Sequence, residues 1–441
     1  MTDVGVELGW ASPNLARFKE TNSTISLDNG QISWVASINK VGGVTGAFMG
    51  SSSVAYLGSK NTILVTLILM CLKWLCLTIT YIVNSVIWLY IFRFVGGITS
   101  SMAYCSFSLY LSEVTEPAIR GTLISISVSG LNFGILFSTI IESYVDIKVS
   151  IPIYLIICLI GIALFLYLPD SPYYCISNCN IAKAEQSIAQ YFSDSSIREK
   201  MNEIKDFVNV NSGIGLKSKI LIMLKPEMKK SIVLIILLFA LPMMCGSVVL
   251  LYYMQIIITD SKSHLISPKN LVICIMIICI ITGASSVKLM DRIGRKILLI
   301  SSSTGVAAAL IGLGLYFYLM NDDNAENLQW SPIVCICLFH ATFVLGLKPV
   351  PHAVLSEIFP SSIKSMMPCV ANLTASSFGF ISVKSYQPML DFMGYANLFL
   401  IYAGFSLLLV PTAIYLLPET KGKSLVQIQN DILSKSNKIS L

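Results

Sequence analysis

Apolar stretches of about twenty residues recur along the whole chain, at 33–57, 62–83, 86–110, 122–145, 151–168, 231–258, 270–290, 297–319, 331–356, 366–386 and 394–416. Each is long enough to cross a hydrocarbon layer of about 30 Å as a helix rising 1.5 Å per residue. Inside such a layer every backbone N–H and C=O must be satisfied within the protein, so only helices and closed barrels are admissible. Barrel strands need only about ten residues, and runs twice that length select helices. A charged fraction of 12%, about half that of a soluble domain, agrees. Eleven complete spans are expected, and a twelfth at the front would make six plus six.

The chain also repeats itself. Gly58, in Leu57-Gly58-Ser59-Lys60, and Gly294, in Asp291-Arg292-Ile293-Gly294-Arg295-Lys296, are 236 residues apart. Glu113 and Glu357 each follow a Leu-Ser pair, stand seven residues before Arg120 and Lys364, and are 244 apart. Leu168-Pro169-Asp170-Ser171 and Leu417-Pro418-Glu419-Thr420 are 249 apart. Near-constant spacing marks an internal duplication. Two similar bundles facing each other enclose a cavity between them. The expected organisation is a first bundle over 1–170, a linker over 171–230, a second bundle over 231–417 and a tail over 418–441.

Basic residues orient these spans. With the 171–230 linker inside, nineteen Lys and Arg fall in inside segments, against only Arg17, Lys19, Lys148, Lys262 and Lys269 outside. That is the positive-inside pattern. The net charge of +6 then reflects contact with membrane lipid, and no basic-aromatic surface for nucleic acid accompanies it. The sequon Asn22-Ser23-Thr24 falls outside, where glycosylation requires it. A second sequon at Asn372 lies within a span and is expected to be silent.

Most of the twelve cysteines sit in apolar runs and read as core filling. No metal or cofactor is assigned, because Cys335-Ile336-Cys337 and the Cys175 and Cys179 pair lack zinc spacing and a nearby histidine pair. No nucleophile-base-acid set or phosphate loop points to an enzyme. The linker carries helical periodicity over 181–192 and 197–208 and reads as short amphipathic helices under the membrane. Gly42, Gly46 and Gly50 form a face for close helix packing. Gly346, Pro349 and Pro351 are expected to break the tenth span.

Seven stretches carry a family resemblance: Gly9-Trp10-Ala11-Ser12-Pro13, Arg93-Phe94-Val95-Gly96-Gly97, Tyr110-Leu111-Ser112-Glu113-Val114, Arg120-Gly121-Thr122-Leu123, 291–296, Ser356-Glu357-Ile358-Phe359-Pro360 and 418–425. Together they make the chain resemble the sugar-porter family of the major facilitator superfamily, most of all its insect facilitated trehalose transporter-like branch. The resemblance implies an all-α membrane protein with the major facilitator fold, twelve transmembrane helices in two six-helix bundles, the first cut short. It implies a multi-pass protein of the plasma membrane, with both termini cytoplasmic if the first span is complete. The implied partner is a small sugar-like solute moved by alternating access; a porter of a less polar solute and a non-transporting, sensor-like relative are the alternatives. No oligomeric state follows.

The resemblance also implies site residues. Glu113, Arg120, Asp291, Arg292, Arg295, Glu357 and Lys364 are expected to form a charge lock that closes the cytoplasmic mouth, each charge-assisted bond contributing about 1.5–3 kcal/mol. The lock is expected to be asymmetric, since Ser59 stands where the family has arginine and Ala55 where it usually has an acid, and so to favour inward-open states. The cavity departs from the family's sugar-binding amides and aromatics. Val128 replaces a glutamine. Pro242 to Val248 replaces a run that carries Gln and Asn, so that Met243 and Val248 line the site. Cys279 replaces an asparagine, His352 a tryptophan, and Ala375-Ser376 an Asn-Trp pair, while Tyr252 and Tyr253 remain as an outer lid. Amides donate and accept to a sugar hydroxyl, and apolar replacements do neither. Sugar transport is therefore expected to be weak or altered in specificity.

Charges buried in spans complete the picture. Lys40, Lys73, Arg93, Lys288, Lys348 and Lys384 all fall in or near apolar runs, where an isolated charge costs at least ~2.5–3.5 kcal/mol. Lys288 and Lys384 are read as snorkelling to an interface; Lys40 and Lys73 have no account. Glu7 aligns with the aspartate of proton-coupled sugar porters and is expected to face Arg93 as a coupling pair. The plainer reading, favoured on the sequence, is a surface acid on a frayed terminus, because only eight residues precede the Gly9-Trp10-Ala11-Ser12-Pro13 stretch and the first span is expected to be truncated or defective.

Overall fold

A computed structural model describes residues 1–20, 25–115, 117–191, 197, 201–206, 221, 223, 226–263, 265–320, 328–359, 363 and 366–419. Helices dominate and no strand occurs among the described residues. The first half holds α1 (Thr2–Lys19), α2 (Asn29–Val83), α3 (Val86–Val114), α4 (Pro117–Tyr144) and α5 (Ile147–Tyr167). Two short helices follow, α6 (Pro172–Ser177) and α7 (Ile181–Tyr191). The second half holds α8 (Pro226–Met244), α9 (Ser247–Tyr252), α10 (Met254–Asp260), α11 (Pro268–Ile293), α12 (Arg295–Leu319), α13 (Trp330–Thr342), α14 (Pro349–Ile358), α15 (Met367–Leu407) and α16 (Leu409–Tyr415).

Local chemistry sets the ends and corners. Asp28 and Gln31 form a reciprocal capping box at the start of α2. Asp146 caps α5, and Pro268 occupies the first turn of α11. α2 turns a sharp corner at Gly58, φ 81° and ψ 168°, and the α11–α12 junction turns at Gly294, φ 95° and ψ 160°. A Cβ disfavours this region, so the duplicated glycines build the same corner twice. We call the side of the molecule holding these two corners the corner end and the opposite side the far end. α15 turns similarly at Gly394, at the far end.

Packing follows the small residues. A methyl group at Gly42 or Gly46 would collide with the carbonyls of Phe94 and Ile98, so the first leg of α2 lies directly on α3. α5 buries Tyr154 and Cys158 and leaves Ile156, Leu159, Ile160 and Leu164 each more than half exposed. Such an apolar outer face is stable against lipid, not water.

Three expectations change. Residues 2–19 form a helix of 18 residues, about 27 Å long at 1.5 Å per residue. It packs against α4, with Val6, Trp10 and Leu15 fully buried. A defective first span leaving the bundle incompletely walled is therefore not what is observed; an amphipathic interior helix with buried acids escapes a purely apolar criterion. The apolar run 231–258 is not continuous: it is cut at Cys245-Gly246 and at Tyr253 into α8, α9 and α10. Gly246 has φ 79°, and a Cβ there would enter the Tyr402 ring. The tenth run widens instead of breaking. Phe343–Leu347 is a π turn, and Lys348 N donates to Phe343 O at 3.0 Å, so the missing N–H groups of Pro349 and Pro351 are absorbed by one wider turn. The sequon at Asn22 lies outside the described residues.

Candidate functional site

The two corners carry related clasps. In the second half, Arg295 Nη2 donates to Glu357 Oε1 at 2.9 Å and Arg295 Nη1 stands 3.5 Å from Asp291. Glu419 Oε1 and Oε2 accept from the backbone N–H groups of Arg295 and Lys296, each at 3.3 Å. In the first half the glutamate of the clasp meets a neutral donor: Ser59 Oγ donates to Glu113 Oε2 at 2.6 Å. Asp170, the repeat partner of Glu419, pairs with Lys60 at 3.1 Å. Tyr110 and Tyr191 share a 2.8 Å hydrogen bond, one hydroxyl donating to the other, and Pro169 O lies 3.3 and 3.1 Å from the two hydroxyls to accept from the one left free. Burial, and then the Tyr110 hydroxyl, raise the Tyr191 hydroxyl above its ordinary range, which keeps it a donor. Arg292 is exposed at the corner. Lys364 and the side chain of Arg120 lie outside what is described.

The far end is held shut between the halves. Gln255 N donates to Ser12 Oγ at 3.1 Å, Tyr252 Oη donates to Asn39 Oδ1 at 3.1 Å, and Lys19 stands 3.5 Å from Asp260. Tyr252 and Tyr253 are buried, and the Tyr253 and Tyr386 rings meet at a tilt of 38° with centroids 4.4 Å apart.

His352 is exposed although Val350, Pro351, Val354 and Leu355 around it are buried. Tyr104 of the first half lies parallel to its ring at 6.5 Å, and Phe239 of the second meets it edge-on at 5.1 Å. An aromatic ring from each half thus stands beside the exposed His352. Met243 and Ala375 are partly exposed, Val248 and Cys279 are buried, and the side chain of Val128 lies outside what is described. Lys348 Nζ, one turn before His352, crosses between the halves to donate to Asn132 Oδ1 at 2.9 Å. Lys40 packs on Gly379 with its Nζ 5.9 Å from the Tyr252 ring centroid.

The first half contains a closed ion cluster. Arg93 Nη1 stands 3.1 Å from Glu7 Oε1, and Lys73 Nζ stands 2.6 Å from Glu7 Oε2 and 3.3 Å from Asp3 Oδ2. Asn39 Nδ2 donates to Glu7 Oε1 at 3.0 Å, and Trp74 Nε1 donates to Asp3 Oδ1 at 3.3 Å. Glu7, Lys73 and Arg93 are all 0% exposed, so the reading of Glu7 as a surface acid is wrong. Two carboxylates and two cations balance, which is the condition for burying charge at all. Lys73, unexplained on the sequence, is accounted for by Asp3 and Glu7. Asp3 and Glu7 are four residues apart on one helix face, and that spacing was the signal available for finding Lys73 a partner. Lys384 stands 3.9 Å over the Trp34 ring and Lys288 is exposed. The polar set of Glu142, Asn14 and Tyr154 had no signal in the sequence: Glu142 accepts from Asn14 at 2.9 Å and from Tyr154 at 3.0 Å.

Comparison with known proteins gives a consistent frame. The family described as "Sugar (and other) transporter" matches residues 10–432. The facilitated trehalose transporter Tret1 of Drosophila virilis is 27% identical across 99% of this chain and 48% of its own length. That of Bombyx mori is 26% identical across 99% of this chain and 85% of its own. The chain thus spans about half the length of the Drosophila relatives it matches. Among solved structures, the proton:xylose symporter XylE bound to 6-bromo-6-deoxy-D-glucose superposes with a TM-score of 0.78 at 19% identity, covering 97% of both chains. The inward-open xylose transporter XylE from E. coli gives 0.76 at 20% identity, again over 97% of both. The fold is that of the major facilitator superfamily.

Proposed function

The chain belongs to the sugar-transporter family, and from that premise we propose that it carries a small sugar-like solute across a membrane by alternating access between its two halves. The observation that carries this reading is the opposition of the two ends around His352. Polar contacts cross the halves at the far end, the clasps at the corner end lie within each half, and the exposed His352 stands between them with a ring of each half beside it. A carrier needs two gates that open in turn. Trehalose transport by the insect relatives and xylose transport by the bacterial fold relative support a polyhydroxylated solute.

The corner end then faces the cytoplasm, by the excess of Lys and Arg there. The protein makes twelve crossings of the plasma membrane in contact with its lipid, with both bundles joined by the 171–230 linker, the tail over 418–441 inside and Asn22 outside as a glycosylation acceptor. Glu113, Arg120, Asp291, Arg292, Arg295, Glu357 and Lys364 act as the cytoplasmic lock. Val128, Met243, Val248, Tyr252, Tyr253, Cys279, His352 and Ala375 border the solute path. Glu7 and Arg93 are the candidate coupling pair, but Lys73 gives Glu7 a second cation, which supports a stationary ion cluster over a released proton. The test is uptake of labelled sugars and polyols into proteoliposomes holding the purified full chain. Saturable uptake that trans-loaded solute accelerates is expected; its absence for every solute refutes the carrier reading.

A further inference from the structure

Four basic side chains stand deep between the apolar runs of this carrier: Lys73, Arg93, Lys40 and Lys348. They divide into two pairs. Lys73 and Arg93 are matched by Asp3 and Glu7 in the closed cluster. Lys40 and Lys348 have no carboxylate partner among the described residues. Lys348 makes one hydrogen bond, to the neutral oxygen of Asn132, and an ammonium has three N–H groups to place. Lys40 makes no hydrogen bond at all among the described residues; only the face of Tyr252 lies near its Nζ. Both are partly accessible, so both reach the space between the halves.

Of the candidate residues around that space, Met243, Val248, Cys279 and Ala375 carry no amide or hydroxyl. A lysine ammonium only donates. Its natural complement is an acceptor-only group that also carries the missing negative charge. Two ammonium groups with no carboxylate partner among the described residues are complemented by an anion. The two lysines approach from opposite sides. Lys40 comes from α2 against Gly379 of α15, and Lys348 follows the π turn and reaches Asn132 of α4. Each lysine thus reaches from its own half to the other, so an anion bound by either touches both halves and favours closure around itself.

We propose that the cavity takes a small hydroxylated solute bearing an anionic group, a carboxylate or phosphate, which Lys348 and Lys40 bind. This rests on the carrier reading above and narrows its substrate class.

The test compares gluconate, glucose 6-phosphate, glucose and sorbitol as uptake substrates of the full chain in proteoliposomes, with thermal stabilisation in detergent as an independent measure of binding. At least one anion is expected to half-saturate at a concentration about ten-fold or more below glucose, the size of one charge-assisted hydrogen bond. Gluconate against glucose 6-phosphate identifies which acid is preferred. Lys348→Gln and Lys40→Gln should each remove that preference, and Lys348→Arg should keep it. Lys348→Arg also shows whether loss of preference in Lys348→Gln comes from charge or from misfolding. Equal or better handling of glucose or sorbitol than of both anions overturns the proposal and leaves the carrier reading standing. An anion preference that survives both glutamine substitutions also overturns it. Neither transport nor stabilisation by any of the four overturns both readings.

Discussion

Lys73 Nζ stands 2.6 Å from Glu7 Oε2, with both side chains fully buried. The pair joins the first helix to the second leg of α2, and Asp3 and Arg93 close it into a neutral cluster. Removing Lys73 leaves two carboxylates facing one guanidinium. Breaking a buried pair in this way costs about 3–5 kcal/mol. Lys73→Met is expected to lower the unfolding temperature and folded yield sharply, and Asp3→Asn in the same chain to restore part of the loss. Fluorescence-detected size exclusion with heating measures both; a Lys73→Met protein as stable as wild type would remove the cluster's structural role.

Glu7→Gln separates structure from coupling. If the cluster is stationary, the variant loses stability but keeps the pH profile of transport. Vesicle uptake between pH 5.5 and 8, with and without an imposed proton gradient, reads this. A pH dependence present in wild type and abolished by Glu7→Gln would assign Glu7 the proton instead.

The clasp of the first half uses Ser59 on Glu113 where the second half uses Arg295 on Glu357. Ser59→Arg would exchange a neutral bond for a charged one. A gain of ~1.5 kcal/mol shifts an open-closed equilibrium about ten-fold. A cysteine introduced as His352→Cys should then react more slowly with a reagent applied from the corner side. An unchanged rate would mean that this clasp does not bias the gate.

Tyr252 Oη and Asn39 Oδ1 make one of the bonds that close the far end. Tyr252→Phe removes it while keeping the ring. The loss of about 0.5–1.5 kcal/mol should raise far-side labelling of an Ile256→Cys variant by a few-fold up to about ten-fold, in a background without reactive native cysteines.

The apolar lining is reparable. Met243→Gln with Val248→Asn restores donor-acceptor groups, each hydrogen bond to a buried hydroxyl contributing about 0.5–1.5 kcal/mol. Glucose binding, measured by ligand-induced stabilisation, should improve by about ten-fold. No improvement would show that Val248, buried in the structure, does not reach the solute.

Much of the architecture was legible in the sequence because it rests on one-dimensional constraints. Bilayer thickness fixes the length of an apolar run, so a helix such as Arg295–Leu319 was readable as 297–319, within two residues. Gly58 and Gly294 were readable as a repeated pair, though not as corners, which only their positive φ in the fold reveals; Gly42 and Gly46 were readable as a packing face because only small residues permit such close approach. The breaks around Gly246 and Tyr253 were not readable, since they arise where the Tyr402 ring leaves no room for a Cβ. The fate of each buried charge was likewise decided only by folding. Lys73 and Lys348 look alike in sequence, a lone lysine in an apolar run. Burying charge depends on what stands within a few ångströms, and Asp3 is 70 positions from Lys73 while Asn132 is 216 from Lys348. The chain itself determined that charges would lie inside the membrane-spanning bundle; only tertiary contact decided that Lys73 is neutralised and Lys348 is not.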